Sequence, residues 1–210
     1  MAEEVIALFV EGDTEVEFYK LLISALFKMN GGKLAFKHEI INMKGIGSYK
    51  DRAKRILKNK LQVKYRNYKI HVFLCYDTDV FTLSKQPPIN WTEVRKALIE
   101  TGATVNYIKA QKSIEDWFLL DIEGVLRYLR LPDSTKCTGS GGMDQIEKLF
   151  KKAGKVYIKG SASKAFINSL CIEKIMLKIC SELRPLCLRV GLKCKSQEIC
   201  NNAIQMMRRK

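Results

Sequence analysis

Four short apolar segments, separated by stretches long enough for helices, constrain the fold of this chain more than any other feature. They cover residues 5–10, 36–43, 69–75 and 104–108, and each combines β-branched residues with an aromatic one. Such runs are typical of buried β-strands. Because strands that alternate with helices over short connections form parallel sheets covered on both faces, we expect an α/β fold with a roughly four-stranded parallel sheet between helices.

Candidate capping residues mark where the intervening helices begin. Thr14 and Glu17 fit a capping box at the start of the first helix. Ser48 is placed to cap a strongly basic helix that runs to about Leu61, and Ser113 to cap a helix after the fourth strand.

The character of the chain changes after the fourth strand and its helix. Residues 133–143 form a polar, glycine-rich stretch, and lysine-rich sequence with helical character follows it. We therefore predict an α/β domain over residues 1–131 and a helical C-terminal region, residues 132–210, packed on it.

Positive charge points to a polyanionic partner. The formal net charge is +15, and between residues 50 and 69 Asp51 is the single acid among many lysines and arginines. Clustered positive charge favours nucleic acid over a merely solubilising surface, and the segment lacks the broad apolar face of a membrane-binding helix. The residues expected to contact phosphates are Lys50, Arg52, Lys54, Arg55 and Lys58.

Location and redox state follow from what the sequence lacks. No apolar run approaches the roughly 20 residues that cross a bilayer, and the acidic start does not resemble a signal peptide, so we expect a cytoplasmic protein without a membrane partner. The seven cysteines contain no Cys-x-x-Cys spacing. We interpret them as buried thiols rather than a zinc or redox site.

Acidic residues follow two of the predicted strands directly. Glu11 comes after the first strand, and Asp77 and Asp79 come after the third. Functional groups of parallel sheets gather at the carboxyl ends of strands, and residues two apart on an extended segment point the same way. Carboxylates without nearby histidine or thiol ligands suit Mg²⁺ or Mn²⁺. Glu15, in the next helical turn, either joins this site or favours the helix N-terminus.

These acidic motifs also carry a family resemblance. Val10-Glu-Gly-Asp-Thr-Glu15, followed by Phe18-Tyr19 and later by Tyr76-Asp-Thr-Asp79, resembles the Toprim domain. The Glu-Gly-x-Thr-Glu form is similar to the OLD-like and RloB-like branches linked to phage defence. The resemblance covers about residues 4–125 and implies a Toprim-like fold with a one-metal or two-metal nuclease site.

The resemblance also implies roles for individual residues. Glu11 would be a metal ligand or general acid/base, Asp77 and Asp79 would be metal ligands, and Glu15 would bind a second metal. Glu115 would complete that second site.

A downstream lysine would act against the charge of the transition state. Lys159 fits that role, with Lys164 as the alternative, although a solvated lysine is the simpler interpretation of either.

We therefore expect a Mg²⁺-dependent nuclease acting on DNA or RNA, an effector in bacterial anti-phage defence that could form a homodimer. The chain lacks a Gly-x-x-x-x-Gly-Lys-Ser/Thr motif, so an ABC-type ATPase would have to be a separate partner. It also carries Val80-Phe81 where many Toprim proteins have a glycine-containing segment. The alternatives are a non-catalytic Toprim module that binds nucleic acid or an ATPase, and a small RNA-maturing Toprim ribonuclease.

Overall fold

A four-stranded parallel sheet forms the centre of the computed structural model, which describes residues 3–32, 36–79, 89–160 and 164–192. The strand order is β2-β1-β3-β4. The strands are β1 (Glu4–Val10), β2 (Phe36–Asn42), β3 (Lys69–Asp77) and β4 (Thr104–Ala110). All four predicted strands and the α/β class are confirmed. Since the order puts β1 and β3 in the middle, the two strands that end in carboxylates are direct neighbours.

Helices lie between the strands and make up most of the described residues after β4. They are α1 (Asp13–Met29), α2 (Tyr49–Ile56), α3 (Trp91–Ile99), α4 (Ile114–Phe118), α5 (Ile122–Leu129), α6 (Gly142–Lys152), α7 (Lys164–Asn168), α8 (Ile172–Lys178) and α9 (Cys180–Arg189). Helix α2 continues through a π-helical turn, Leu57–Leu61, and a last turn, Gln62–Lys64. It therefore ends three residues beyond the predicted Leu61.

The predicted capping box at the start of α1 is wrong. The helix begins two residues earlier, at Asp13 after the extended Gly12, so Thr14 lies buried inside the first turn. Glu17 pairs with Lys20 on the helix surface instead of reaching back to the backbone. Gly12 occupies the cap position with an ordinary extended backbone, and the close approach of Gly160 is what leaves no room for a side chain there.

The other two predicted caps have different outcomes. Ser48 precedes α2, but its hydroxyl donates to the carbonyl oxygen of Lys44 and makes no cap hydrogen bond. At α4 the predicted cap, Ser113, is confirmed, and it forms a capping box in which the Ser113 and Asp116 side chains each pair with the backbone of the other residue.

Each face of the sheet covers its own hydrophobic core. Ile6, Leu8 and Phe73 pack against α1 and the helices that follow β4. Ala7, Phe9 and their neighbours on the opposite face pack against α2 and α3. The alternation along β1 is that of a strand buried on both faces.

The C-terminal helices share the core of α1. Phe166 and Leu186 are fully buried in the same cluster as Ile6, and α9 packs on β4. Burial of one such side chain stabilises the folded state by about 1.5–3 kcal/mol. The polar stretch predicted at 133–143 is a loop that ends where α6 begins, at Gly142.

Two further observations concern the described residues. Cys75 and Cys187 are buried, Cys137, Cys171 and Cys180 are half-buried, and Cys194 and Cys200 lie outside the described ranges. Within these ranges no helix has the length and apolar character needed to cross a membrane.

Candidate metal and phosphate site

Glu11 and Asp77 meet where β1 and β3 end. The backbone N–H of Asp77 donates a 3.0 Å hydrogen bond to Oε1 of Glu11. This contact arises from the strand order, because β1 and β3 are paired neighbours, Glu11 directly follows β1 and Asp77 is the last residue of β3. The predicted gathering of acids at the carboxyl edge of the sheet is thus present.

Asp77 is held deep in the site, against the start of α4. The residue is 3% exposed, and its Oδ1 accepts a 3.0 Å hydrogen bond from the backbone N–H of Ile114 at the start of α4. Its Oδ2 is buried without a hydrogen-bond partner in the described structure.

Lys159 bridges Asp77 and Asp79. Its Nζ lies 3.6 Å from Oδ2 of Asp77 and 3.7 Å from Oδ2 of Asp79. The two aspartates therefore reach one cation, in agreement with their two-residue spacing. The alternative lysine, Lys164, is exposed in α7 and has no ion pair with these aspartates in the described structure.

Glu15 and Glu115 add two buried carboxylates from helix starts. Glu15 lies in the first turn of α1, and Oε2 of each glutamate has no hydrogen-bond partner within the described ranges. Glu115 is fully buried in α4, where its Oε1 accepts a 2.9 Å hydrogen bond from the hydroxyl of Tyr157.

Lys159 and Tyr157 belong to one segment, residues 155–160, that follows α6 without regular secondary structure. Tyr157 is buried, whereas the alternate residues Val156 and Ile158 are exposed. The Gly160 carbonyl accepts a hydrogen bond from the N–H of Asp13, which ties the segment to the start of α1. Contacts far along the chain therefore complete the site.

Gly12 makes this close approach possible. A Cβ atom at position 12 would lie 2.9 Å from Oε2 of Glu15 and 3.2 Å from the Cα of Gly160. Any larger residue would push on both the carboxylate and the 155–160 segment.

The cluster contains more carboxyl groups than Lys159 alone can neutralise, and the pKa values of the carboxyl groups reflect this. Burial, with a smaller contribution from the nearby Glu11 carboxylate, raises the pKa of Asp77 to about 9 against the opposing effect of Lys159. Burial likewise raises the pKa of Glu15 to about 7. The pKa of Glu11 is raised by burial despite its hydrogen bond from Asp77. A cation among these groups would favour their charged forms.

The amine of Lys159 responds in the opposite direction to the same charges. Burial lowers its pKa, but attraction to Asp77, Glu115, Asp79 and Glu11 outweighs burial and raises the pKa above its usual value. Lys159 is therefore a charged group at neutral pH.

A metal ion is not enclosed by a ready-made cage. Within the ranges that the structure describes, no three His, Cys, Asp or Glu side chains come together in a group able to hold an ion. One oxygen each of Glu15, Asp77 and Glu115 nevertheless fits a hard cation, since each of these atoms is buried without a hydrogen bond from any described residue.

The basic helix starts beside the carboxylates. The hydroxyl of Tyr49, the first residue of α2, lies 2.8 Å from the carbonyl oxygen of Phe9 and 2.7 Å from that of Cys75. From there α2 runs across the sheet face and away from the site.

The predicted phosphate contacts differ in exposure. Lys50, Arg55 and Lys58 are exposed, whereas Arg52 and Lys54 are half-buried. Lys54 pairs with Glu100 on α3, and Arg52 lines a groove between α2 and β2. Lys50, Arg55 and Lys58 are therefore better placed than Arg52 and Lys54 to bind a polyanion.

Sequence reasoning missed Tyr157 and Thr78. The Thr78 hydroxyl donates to the carbonyl oxygen of Ala110 and accepts from the N–H of Lys112, which joins the ends of β3 and β4. The sequence Val-Tyr-Ile-Lys from 156 to 159 could have identified Tyr157 as a site residue, because in an extended segment Tyr157 lies on the same side as Lys159.

Comparison of the chain with protein-family models, with curated proteins and with solved structures gives no match.

Proposed function

We propose that this chain is a divalent-metal-dependent nuclease with a Toprim-like site, hydrolysing phosphodiester bonds in DNA or RNA. The observation that carries the proposal is the environment of Asp77. Its carboxylate is buried at a strand end, one oxygen holds a backbone N–H, and the other faces Lys159 among Glu11, Glu15 and Glu115. Buried carboxylates with raised pKa values that cluster around a specific charged partner are typical of functional sites.

The residues present fit Mg²⁺ or Mn²⁺. Asp77, Asp79 and Glu11 would hold one ion, and Glu15 with Glu115 would hold a second. A pre-formed cage is not required, since Mg²⁺ is usually bound by one or two carboxylates together with water and substrate phosphate. Such an ion would stabilise the charge that develops on the phosphate and activate a water molecule for attack.

The chain's own groups would orient and balance this chemistry. The N–H of Ile114 fixes the rotation of the Asp77 carboxylate, and Tyr157 does the same for Glu115. Lys159 remains charged and within reach of both aspartates, so it can stabilise negative charge on the phosphate. Exposed lysines and arginines at the start of α2 would bind flanking nucleic acid.

The test is cleavage of labelled DNA and RNA in Mg²⁺ and Mn²⁺ by the wild type and by Asp77→Asn. The substitution keeps the shape and the acceptor for Ile114 but removes the charge. We expect activity to fall by roughly a hundredfold or more, because several kcal/mol of metal-assisted stabilisation is lost. Asp133→Asn, at an exposed acid in the loop before α6, is the matched control and should cleave normally. Equal activity of the wild type and Asp77→Asn would refute the proposed catalytic site at Asp77.

A second candidate, a nucleic-acid-binding module without catalysis, is favoured by one observation. Lys159 already pairs with Asp77 and Asp79, so an amine occupies the space between them. The same assay separates the candidates, because a module of this kind would bind the oligonucleotide and leave it intact. Comparing DNA, tRNA and rRNA substrates would identify a small RNA-maturing ribonuclease.

The proposed setting is bacterial anti-phage defence in the cytoplasm, with a separate ABC-type ATPase as the partner. A neighbouring gene for such an ATPase, and a complex of the two proteins on co-expression, would support this setting. Light scattering of the purified protein would test the predicted homodimer.

A further inference from the structure

Two lysines in left-handed backbone conformation flank the carboxylates. Lys44 has φ +62° and Lys112 has φ +65°, and each lies two residues beyond the end of an outer strand, β2 or β4. Residues other than glycine rarely adopt this conformation, and it concentrates at functional sites. Glycine would fit either backbone more easily, so neither position calls for lysine on conformational grounds.

The turn that carries Lys44 is braced against Glu11. The N–H of Lys44 donates to the Asn42 side chain, and its carbonyl oxygen accepts from the Ser48 hydroxyl. The N–H of the next residue, Gly45, donates a 2.8 Å hydrogen bond to the Glu11 carbonyl oxygen. Lys44 therefore has a fixed position relative to the first carboxylate.

The turn that carries Lys112 is braced against the aspartates in a similar way. Its carbonyl oxygen accepts from the N–H groups of Thr78 and Asp79, at 2.8 and 2.9 Å, and its own N–H donates to the Thr78 hydroxyl. Lys112 is thus fixed relative to the second and third carboxylates.

The strand order places these groups in a row. Along the carboxyl edge of the sheet the sequence is Lys44, Glu11, Asp77, Lys112. Neighbouring strands are about 4.8 Å apart, so the outer strands β2 and β4 are separated by about 14 Å. More than one nucleotide of an extended strand is needed to bridge that distance.

Both lysines are accessible to a ligand at this edge. Each is exposed, and each lines a cleft with site residues: Lys44 with Glu11 and Lys159, and Lys112 with Asp79. Lys44 also pairs with Asp13 at 3.6 Å, but both side chains are mostly exposed. A phosphate can replace Asp13 at little cost, because exposed ion pairs contribute little.

We propose that Lys44 and Lys112 bind the phosphates on either side of the scissile one, so that a nucleic-acid strand lies across the ends of the four sheet strands. The proposal rests on the proposed nuclease function, and it adds the direction of the substrate and two residues that hold it. The scissile phosphate then sits over Glu11 and Asp77, with Lys159 above it. The exposed amines of α2 would contact the strand farther along on the Lys44 side.

The test combines binding and cleavage for Lys44→Gln, Lys112→Gln and a control, Lys28→Gln. Lys28 is exposed in the last turn of α1, about 22 Å of helix from Asp13. Binding of a short single-stranded oligonucleotide is measured in EDTA at several salt concentrations. We expect each site variant to bind several-fold more weakly, with the salt slope reduced by about 0.7, as for one lost phosphate contact. Lys28→Gln should bind like the wild type.

To test which phosphate each lysine contacts, cleavage is measured with oligonucleotides that carry one uncharged methylphosphonate next to the cleaved bond. Wild-type cleavage should slow with the uncharged group on either side. Lys44→Gln should be insensitive to the group on one side, and Lys112→Gln to the group on the other.

The outcomes separate this proposal from the nuclease function. Loss of binding in both lysine variants without any cleavage by the wild type would support the phosphate contacts and reject the nuclease. Normal binding and cleavage by both variants would reject the contacts and leave the nuclease standing. No binding by the wild type would reject both.

Discussion

The side chain of Glu115 illustrates how this site is held residue by residue. It is fully buried, and the hydrogen bond from Tyr157 is the contact that satisfies its Oε1. The sequence predicted Glu11, Asp77 and Asp79 because each directly follows a recognisable strand. Tyr157 is 42 residues away from Glu115 in the chain, and no local pattern predicts a contact of that range.

Tyr157→Phe removes that donor and leaves the Glu115 carboxylate without a hydrogen bond. We expect a loss of about 1–3 kcal/mol in the free energy of unfolding, the usual cost of a buried acceptor left without its donor. Urea denaturation with EDTA present is the measurement. Tyr68→Phe, at a half-buried tyrosine packed on Tyr65, is the control and should lose much less. Equal losses in the two variants would argue against a stabilising buried hydrogen bond between Tyr157 and Glu115.

At the scale of secondary-structure elements, the junction of α4 and α6 explains the glycine-rich loop. The N–H of Gly142 donates to Oδ1 of Asp116, whose other oxygen completes the capping box of α4. The strands were predictable because apolar runs report burial on both faces. The junction of α4 and α6 could not be predicted, because it depends on two helix starts that meet in space. The start of α1 was also misplaced, because Gly12 and Gly160, which are far apart in the sequence, meet there.

Gly142→Ala should destabilise the protein, because its Cβ would lie 2.4 Å from the backbone nitrogen of Asp116. We expect a loss of about 1–3 kcal/mol, typical of forced overpacking. The adjacent Gly141 provides a matched control, since a Cβ there meets nothing within 4 Å and its backbone is extended. Thermal unfolding of the two alanine variants should differ clearly. Similar melting temperatures would mean that the two helix starts are not packed this closely.

At the scale of the whole molecule, the site joins parts of the chain on both sides of residue 131. Glu11, Asp77 and Glu115 come from the sheet and its helices, whereas Tyr157 and Lys159 come from the segment after α6. The carboxylates cost stability in this arrangement, because burial raises the pKa values of Glu15 and Asp77 to about 7 and about 9. Functional sites commonly carry such a cost.

Stability without metal should therefore fall as the pH rises. The two raised pKa values lie above those of the unfolded chain, about 4.3 for Glu and 3.9 for Asp. The folded state thus binds these two protons more tightly, so the stability that the two groups contribute is fully present below about pH 4 and is lost as the pH rises through 7 and 9. Asp77→Asn should flatten this decline and be more stable than the wild type at pH 9. Denaturation in EDTA at several pH values measures the free energy of unfolding of both proteins. Parallel dependence on pH in the two proteins would contradict a raised pKa of Asp77.

Calorimetric titration of Mn²⁺ into the wild type and into Asp77→Asn, at neutral pH, tests the central claim most directly. Asp77 is mostly protonated at neutral pH with a pKa of about 9, so metal binding must release protons. We predict binding by the wild type, with an apparent enthalpy that changes between buffers of different ionisation enthalpy, and much weaker binding by Asp77→Asn. Absence of binding by the wild type, or equal binding by both proteins, would contradict a metal site at these carboxylates.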